Sequence, residues 1–234
     1  MQTASTLVPA TGFATEEARL DPREFSRVAA IVQREARIAL PPTKATLVFS
    51  RLSRRVREHG LASFAQYLTF VESDAVERAA MVEALTTNHT HFFREGHHFD
   101  HFKEHVLDEL QARARTGQPV RLWSAGCSSG EEVYSLVMCM LGTSRAQARW
   151  AMEGDVKLLA TDLSSKVVAA AGRAVYSEAT VKPIPEDYRR QWLREEGADF
   201  AIVEDARRFV TARELNLFGE WPMRQQYDVI FCRN

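Results

Sequence analysis

Residues 120–136 read VRLWSAGCSSGEEVYSL. A short apolar run, VRLWSA (120–125), stops at the small-residue turn Gly126-Cys127-Ser128-Ser129-Gly130, and EEVYSLVMCML (131–141) continues as a buried helix. Downstream, VKLLATD (156–162) predicts a second strand and SSKVVAAAGRAVY (164–176) a second helix capped by Ser164, with a long loop at 142–155 between the two halves. Strand, turn, helix, strand, helix is the pattern of a parallel sheet with helical crossovers. RFVTA (208–212) and YDVIF (227–231) predict two more strands of that sheet. Between them and the second helix, the prolines, charges and alternating FAIVED of residues 177–208 predict a small inserted β-subdomain.

Upstream the period changes from two to that of a helix. Residues 1–20 are small and polar and predict a flexible arm. Asp21-Pro22 is a good N-cap followed by proline at the first helical position. Further helices are expected at 43–59, 63–72, 74–86 and 97–115, with Leu61, Phe64, Tyr67 and Leu68 in the core. The expected organisation is a helical N-terminal domain with a linker helix over 21–115 and an α/β domain over 116–234.

Composition narrows the class of protein. The chain has 45% hydrophobic and 26% charged residues and a formal net charge of -1, the balance of a soluble globular protein and not of a global nucleic-acid binder. No apolar run approaches the ~20 residues of a membrane span, and the N-terminus lacks the basic start and apolar core of a signal peptide. Cys127, Cys139 and Cys232 have no metal or disulfide spacing, which suits a reducing, cytoplasmic setting.

The turn at 126–130 has neither the GxGxxG spacing of a dinucleotide site nor the GxxxxGK[ST] of a P-loop. Glu131 and Glu132 follow it. Two carboxylates at a helix N-terminus repel a pyrophosphate, which wants that end bare and positive. They either complement the helix dipole or receive a ligand with a cationic head. Asp162 ends the second strand, where an acid either caps the next helix or accepts hydrogen bonds from ribose hydroxyls. The stretch Thr87-Asn88-His89-Thr90-His91-Phe92-Phe93-Arg94-Glu95 packs polar groups beside aromatics, as a lid over a ligand or a helix–helix junction would. His89, His91, His97, His98 and His101 lack acidic or cysteine partners at metal-site spacing, so no metal is expected. On the helix at 43–59, Lys44, Arg51, Arg54 and Arg55 fall on one arc beside the apolar arc of Val48, Leu52 and Val56, giving either a docking face or a solvated one.

TNHTHFFRE (87–95), WSAGCSSGEEVYSL (123–136), LLATDLS (158–164), LNL (215–217) and IFCRN (230–234), in this order and spacing, resemble the CheR family of chemotaxis-receptor methyltransferases. The resemblance implies a Rossmann-like methyltransferase domain that uses S-adenosylmethionine, esterifies glutamates on the cytoplasmic methylation helices of a receptor and releases S-adenosylhomocysteine. It implies cofactor contacts from Asn88, Thr90, Arg94, Glu131, Asp162, Asn216, Leu217, Arg233 and Asn234, with Arg94 also the catalytic residue that aligns methyl group and carboxylate. It also assigns the basic arc of Lys44, Arg51, Arg54 and Arg55 to receptor binding. The loop LREEGADF (193–200) lacks the glycine pattern with which some members grip a receptor's pentapeptide tether, which counts against tether binding. Family members continue past CRN, so the C-terminal strands are expected to be missing and the strand at 227–231 to be left with an open edge. Two alternatives stand beside this reading: a nicotinamide-dependent oxidoreductase, and a non-catalytic receptor- or cofactor-binding module.

Overall fold

The structure, a computed structural model, describes residues 20–86 and 89–233. The arm expected at 1–20 therefore lies, except for Leu20, outside the described residues. The chain divides into two compact units, 1–86 and 87–234.

The first unit is helical. Helix α1 (Pro22–Ala36) starts at a capping box in which Asp21 and Glu24 satisfy each other's backbone N–H groups, with proline at the first position. Helices α2 (Ala45–Glu58), α3 (Phe64–Ser73) and α4 (Ala75–Leu85) follow. Ser63 and Asp74 cap α3 and α4 by accepting from the backbone N–H groups of Gln66 and Glu77. The apolar faces meet in a core of Val28, Ile31, Val48, Leu52, Tyr67, Leu68 and Met81.

A buried carboxylate ties three of these helix regions together. Glu77 on α4 is only 5% exposed. The Arg55 fork donates to both its oxygens, at 2.6 and 2.5 Å, Tyr67 Oη donates at 2.6 Å, and His59 Nε2 lies at 2.8 Å. Burial alone would raise the Glu77 carboxyl, but hydrogen bonds from Arg55, Tyr67 and His59 outweigh it and hold it at about 2. Arg51 also turns inward, donating from Nη1 to the carbonyls of Leu85 and Thr86 at 2.9 Å each, where α4 ends. Arg51 and Arg55 are therefore half-buried against α4, and of the basic arc Lys44 and Arg54 are the exposed members. A helical wheel places them beside the core but cannot show that α4 supplies their partners.

The second unit carries a sheet of parallel strands. Helices α5 (His97–His105) and α6 (Leu107–Arg115) belong to this unit. They were grouped with the N-terminal helices on sequence, but Phe99, Phe102, Leu110 and Ala114 pack into the α/β core. Strand β1 (Val120–Ala125) leads into α7 (Glu131–Leu141), every residue of which is buried. Next comes α8 (Arg145–Glu153), in a segment read on sequence as a loop. Ser144 caps it, and its buried face is made of Ala148, Ala151 and Trp150, too few large apolar residues to register as a periodic pattern. Strand β2 (Val156–Asp162) and helix α9 (Ser165–Arg173, capped by Ser164) complete the crossover.

The inserted subdomain begins at Val175, because Ala174 takes a left-handed conformation (φ 54°) that ends α9. It comprises β3 (Val175–Ser177), α10 (Glu178–Val181), α11 (Glu186–Trp192), β4 (Leu193–Glu196), β5 (Asp199–Ile202) and α12 (Glu204–Arg207). Its antiparallel sheet has the order β3-β5-β4. Trp192, fully buried, anchors it by donating from Nε1 to the Gly142 carbonyl at 2.6 Å. Strands β6 (Val210–Glu214) and β7 (Val229–Cys232) return to the main sheet, whose order is β6-β2-β1-β7 with all pairs parallel. On β7, Phe231 stacks on Phe99 while Ile230 on the other face is 53% exposed.

The Glu77 cluster yields a stability prediction. A folded-state value near 2 against an ordinary glutamate near 4.3 means that its contribution is complete above the ordinary value and is lost as pH falls toward 2. Glu77→Gln should cost about 3 kcal/mol at neutral pH, because half-buried Arg55 is left beside a neutral group. It should also flatten that acid limb. Urea unfolding of the full chain followed by circular dichroism measures both, and an unchanged midpoint would show that the cluster adds nothing.

Candidate functional site

In an open parallel sheet, ligands bind at the carboxyl ends of the strands. Here those ends are Ala125, Asp162, Glu214 and Cys232. The turn after β1 is bound to the end of β2: the N–H groups of Gly126 and Cys127 both donate to the Thr161 carbonyl at 2.8 Å. Gly126 has φ 82° with open space where a side chain would lie, so its backbone angle is what calls for glycine. Gly130 (φ 101°) is doubly restricted, since a Cβ there would meet Tyr176 Oη at 2.8 Å and Ala171 at 3.0 Å.

Asp162 is held from both sides. The Ser128 N–H donates to Oδ2 at 2.9 Å and the Ser164 N–H to Oδ1 at 3.1 Å. Ser164, not Asp162, caps α9, and Asp162 holds only the N–H of that cap residue, so each of its oxygens keeps a lone pair after one backbone bond. The Asp162 carbonyl accepts from the Leu215 N–H at 2.9 Å, which brings the β6 exit beside it. In that exit, Asn216 Oδ1 accepts from the Phe218 N–H at 3.0 Å, and the Leu217 carbonyl accepts from Trp221 Nε1 at 3.1 Å.

The paired glutamates, equivalent on sequence, are sorted by the fold. Glu132 accepts from Ser124 Oγ at 2.7 Å and from Arg233 Nε at 2.8 Å, so a cation of the protein already neutralises it. Glu131 is 4% exposed, and its two oxygens lie 2.9 and 2.7 Å from the single hydroxyl of Ser129. No cationic side chain among the described residues forms an ion pair with it. Burial pushes its carboxyl above the ordinary value, partly opposed by the Ser129 bond, a bond from its own backbone and the charge of nearby His91. A buried carboxylate with no ion pair to Lys or Arg among the described residues fits a ligand's ammonium group.

Arg94 is half-buried and donates from Nη1 to the His89 carbonyl at 2.8 Å; Thr90 nearby is also half-buried. Asn88 and Asn234, two of the expected cofactor contacts, lie outside the described residues, as does Thr87. The Arg233 side chain is 11% exposed and bonds to Glu132, to Glu95 and to the Arg94 carbonyl. In the first unit, Lys44 and Arg54 are exposed, Arg54 pairing with Glu58 on its own helix. Sequence reasoning missed Ser129 as the holder of Glu131 and Thr161 as the anchor of the turn. The serines were visible in GCSSG, but nothing local tells which backbone or carboxylate each one meets. Among the described residues no three His, Cys, Asp or Glu side chains converge as a metal site requires. Nor is any described helix long and apolar enough to cross a membrane.

A glycine turn without phosphate-binding chemistry, an acid at the end of β2 and a buried carboxylate with no Lys or Arg partner among the described residues are compatible with a nucleoside with a cationic tail. S-adenosylmethionine-dependent methyltransferases are a class that binds such a ligand.

Comparison with known proteins agrees. Residues 88–234 match the family described as "CheR methyltransferase, SAM binding domain", and residues 23–86 match "CheR methyltransferase, all-alpha domain". The chain is 41% identical over 210 residues to the "Probable chemotaxis protein methyltransferase" of Rhizobium etli, which covers 87% of this chain and 77% of that protein. It is 35% identical to "Chemotaxis protein methyltransferase 2" of Pseudomonas aeruginosa (98% and 80% covered) and 34% identical to the "Chemotaxis protein methyltransferase" of Escherichia coli (94% and 75% covered). The chain belongs to the CheR methyltransferase family. It is a methyltransferase whose cofactor is S-adenosylmethionine, and the nicotinamide alternative falls.

Two measurements test the site. Asp162→Asn should weaken S-adenosylhomocysteine binding by about 1.5–3 kcal/mol through loss of charge-assisted hydrogen bonds; unchanged affinity by calorimetry would remove Asp162 from the site. Affinity for S-adenosylmethionine should fall on acidification, starting at a higher pH than an ordinary glutamate near 4.3 would give, because protonation of Glu131 removes the countercharge. Glu131→Gln should bind more weakly at neutral pH and lose that acid dependence.

Proposed function

We propose that this protein methylates glutamate side chains on the cytoplasmic methylation helices of a chemotaxis receptor, giving glutamate methyl esters. The names of its relatives point to chemotaxis. The observation that carries the chemistry is the sorting of the two glutamates, which leaves Glu131 unpaired beside an acid suited to ribose.

When bound, S-adenosylmethionine supplies a methyl group on a positively charged sulfur, which is a good leaving group. In this reading Asp162 accepts from the ribose hydroxyls, Glu131 faces the ammonium, and Thr90, Asn216 and Leu217 line the remainder. Asn88 and Asn234 complete the proposed set, while the Arg233 side chain is already engaged by Glu132, Glu95 and the Arg94 carbonyl. A substrate glutamate with pKa near 4.3 is already ionised at neutral pH, so no residue has to remove a proton. The work left is alignment and exclusion of water. Arg94 suits the alignment, because its planar fork can donate two parallel hydrogen bonds to a carboxylate. On the receptor side, exposed Lys44 and Arg54 of α2 would meet an acidic helix. Arg51 and Arg55 would shape that surface from beneath, through their bonds to α4.

Methyl-labelled cofactor incubated with a receptor's cytoplasmic fragment tests this. Label should enter the receptor and be released as methanol by mild base, the behaviour of a carboxyl ester. Label stable to base would contradict the glutamate assignment. Arg94→Ala should lower kcat by about a hundredfold, and Arg94→Lys should recover little of it, since a point charge cannot reproduce the fork. Normal turnover in the alanine variant would end the role given to Arg94.

A further inference from the structure

Arg94 is bracketed by two non-glycine residues in the left-handed region, Phe93 at φ 55° and Glu95 at φ 56°. Such conformations persist only where the surroundings hold them, and they gather at functional sites. The holding contacts come from both sides. The Phe93 N–H donates to Ser135 Oγ at 2.9 Å, and that fully buried hydroxyl donates in turn to the Glu131 carbonyl at 2.6 Å. The Phe93 ring stacks on Tyr188 and meets the edge of Phe99.

On the other side stands Arg233, just beyond β7. Its Nη1 donates to the Arg94 carbonyl at 2.9 Å and to the Glu95 carboxylate at 3.1 Å, while Nε donates to Glu132 at 2.8 Å. The guanidinium lies over the rings of Phe99 and Phe231. Glu132 is itself fixed to β1 by Ser124. The first turn of α7 therefore carries Glu131 and is also the mount to which Ser135 and Arg233 fasten the backbone of Arg94.

We propose that Arg233 and Ser135 are positioning residues for Arg94, setting its place relative to Glu131, and that the Arg233 side chain acts through the protein instead of through contact with the cofactor. This rests on the role given to Arg94 above.

A double-mutant cycle tests it in the full chain. Arg233→Lys keeps the charge and loses the fork; Ser135→Ala removes both hydrogen bonds of that hydroxyl, to Phe93 and to Glu131, and leaves Arg233 in place. Each should lower kcat about tenfold or more, as small misplacements of an aligning group do. S-adenosylhomocysteine affinity should stay within about threefold, because cofactor binding does not depend on where Arg94 points; each variant loses buried hydrogen bonds, so the urea midpoint should fall in both, and kcat is compared under conditions where each variant remains fully folded. In an Arg94→Ala background neither substitution should lower kcat further, since the group they position is gone. Without cofactor, the Phe93 and Arg94 amides should exchange hydrogen faster in both variants. Multiplicative losses in the Arg94→Ala background, unchanged exchange at those amides, or a loss of affinity matching the loss of kcat would each overturn the proposal. Full turnover in Arg94→Ala alone would instead contradict the role of Arg94 itself.

Discussion

The carbonyl of Thr161 accepts two backbone N–H bonds, from Gly126 and Cys127, and the candidate cofactor site hangs from that junction. It joins the exits of β1 and β2 at their carboxyl ends. With the turn fixed there, the Ser128 N–H reaches Asp162, and the chain enters α7 through Gly130, where no side chain would fit against Tyr176 and Ala171. Tyr176 adds a second clamp by donating to the Ser129 carbonyl, and Ser129 in turn holds Glu131. A strand-to-helix turn pinned in this way presents a carboxylate and an acid at fixed spacing before any ligand arrives. Such preorganisation is what an alignment-driven reaction demands.

Charge sorting follows from the same turn. Helix α7 is buried along its whole length, so both glutamates at its start must be reconciled with low dielectric. Glu132 is reconciled internally, by Ser124 and Arg233. Glu131 has hydrogen bonds from Ser129 and its own backbone but no Lys or Arg ion pair among the described residues, and burial leaves its carboxyl raised, a cost in the free protein that a cationic ligand would offset. Glu77 in the first unit is the contrasting case. It too is a buried glutamate, but Arg55, Tyr67 and His59 saturate it and pull it down to about 2, as suits a structural post.

Much of the architecture was legible because its signals are local. Strands 120–125 and 156–162 and helix 131–141 coincide with the elements found, since each is a dense apolar run bounded by glycine or a capping residue. Helix α8 escaped because alanines carry its buried face, and the end of α9 because its stop signal is a left-handed alanine instead of a glycine. The inward turn of Arg51 and Arg55 and the Glu132–Arg233 pair were illegible for another reason. Their partners lie on other elements, the latter 101 residues away, and no periodicity encodes a long-range pairing. The candidate residues on the glycine turn and at the end of β2 stand out in the sequence; what distinguishes Glu131 from Glu132 does not.

The central claim is that a nucleoside with a cationic tail sits across the ends of β1, β2 and β6. Backbone amide NMR during titration with S-adenosylhomocysteine tests it most directly. The account predicts saturable shifts concentrated at Gly126–Glu131, Asp162–Ser164 and Leu215–Leu217, with those of the inserted strands Leu193–Glu196 and Asp199–Ile202 nearly unmoved. Saturable shifts that leave the 126–131 turn and Asp162 untouched, or no shifts at millimolar ligand, would contradict it.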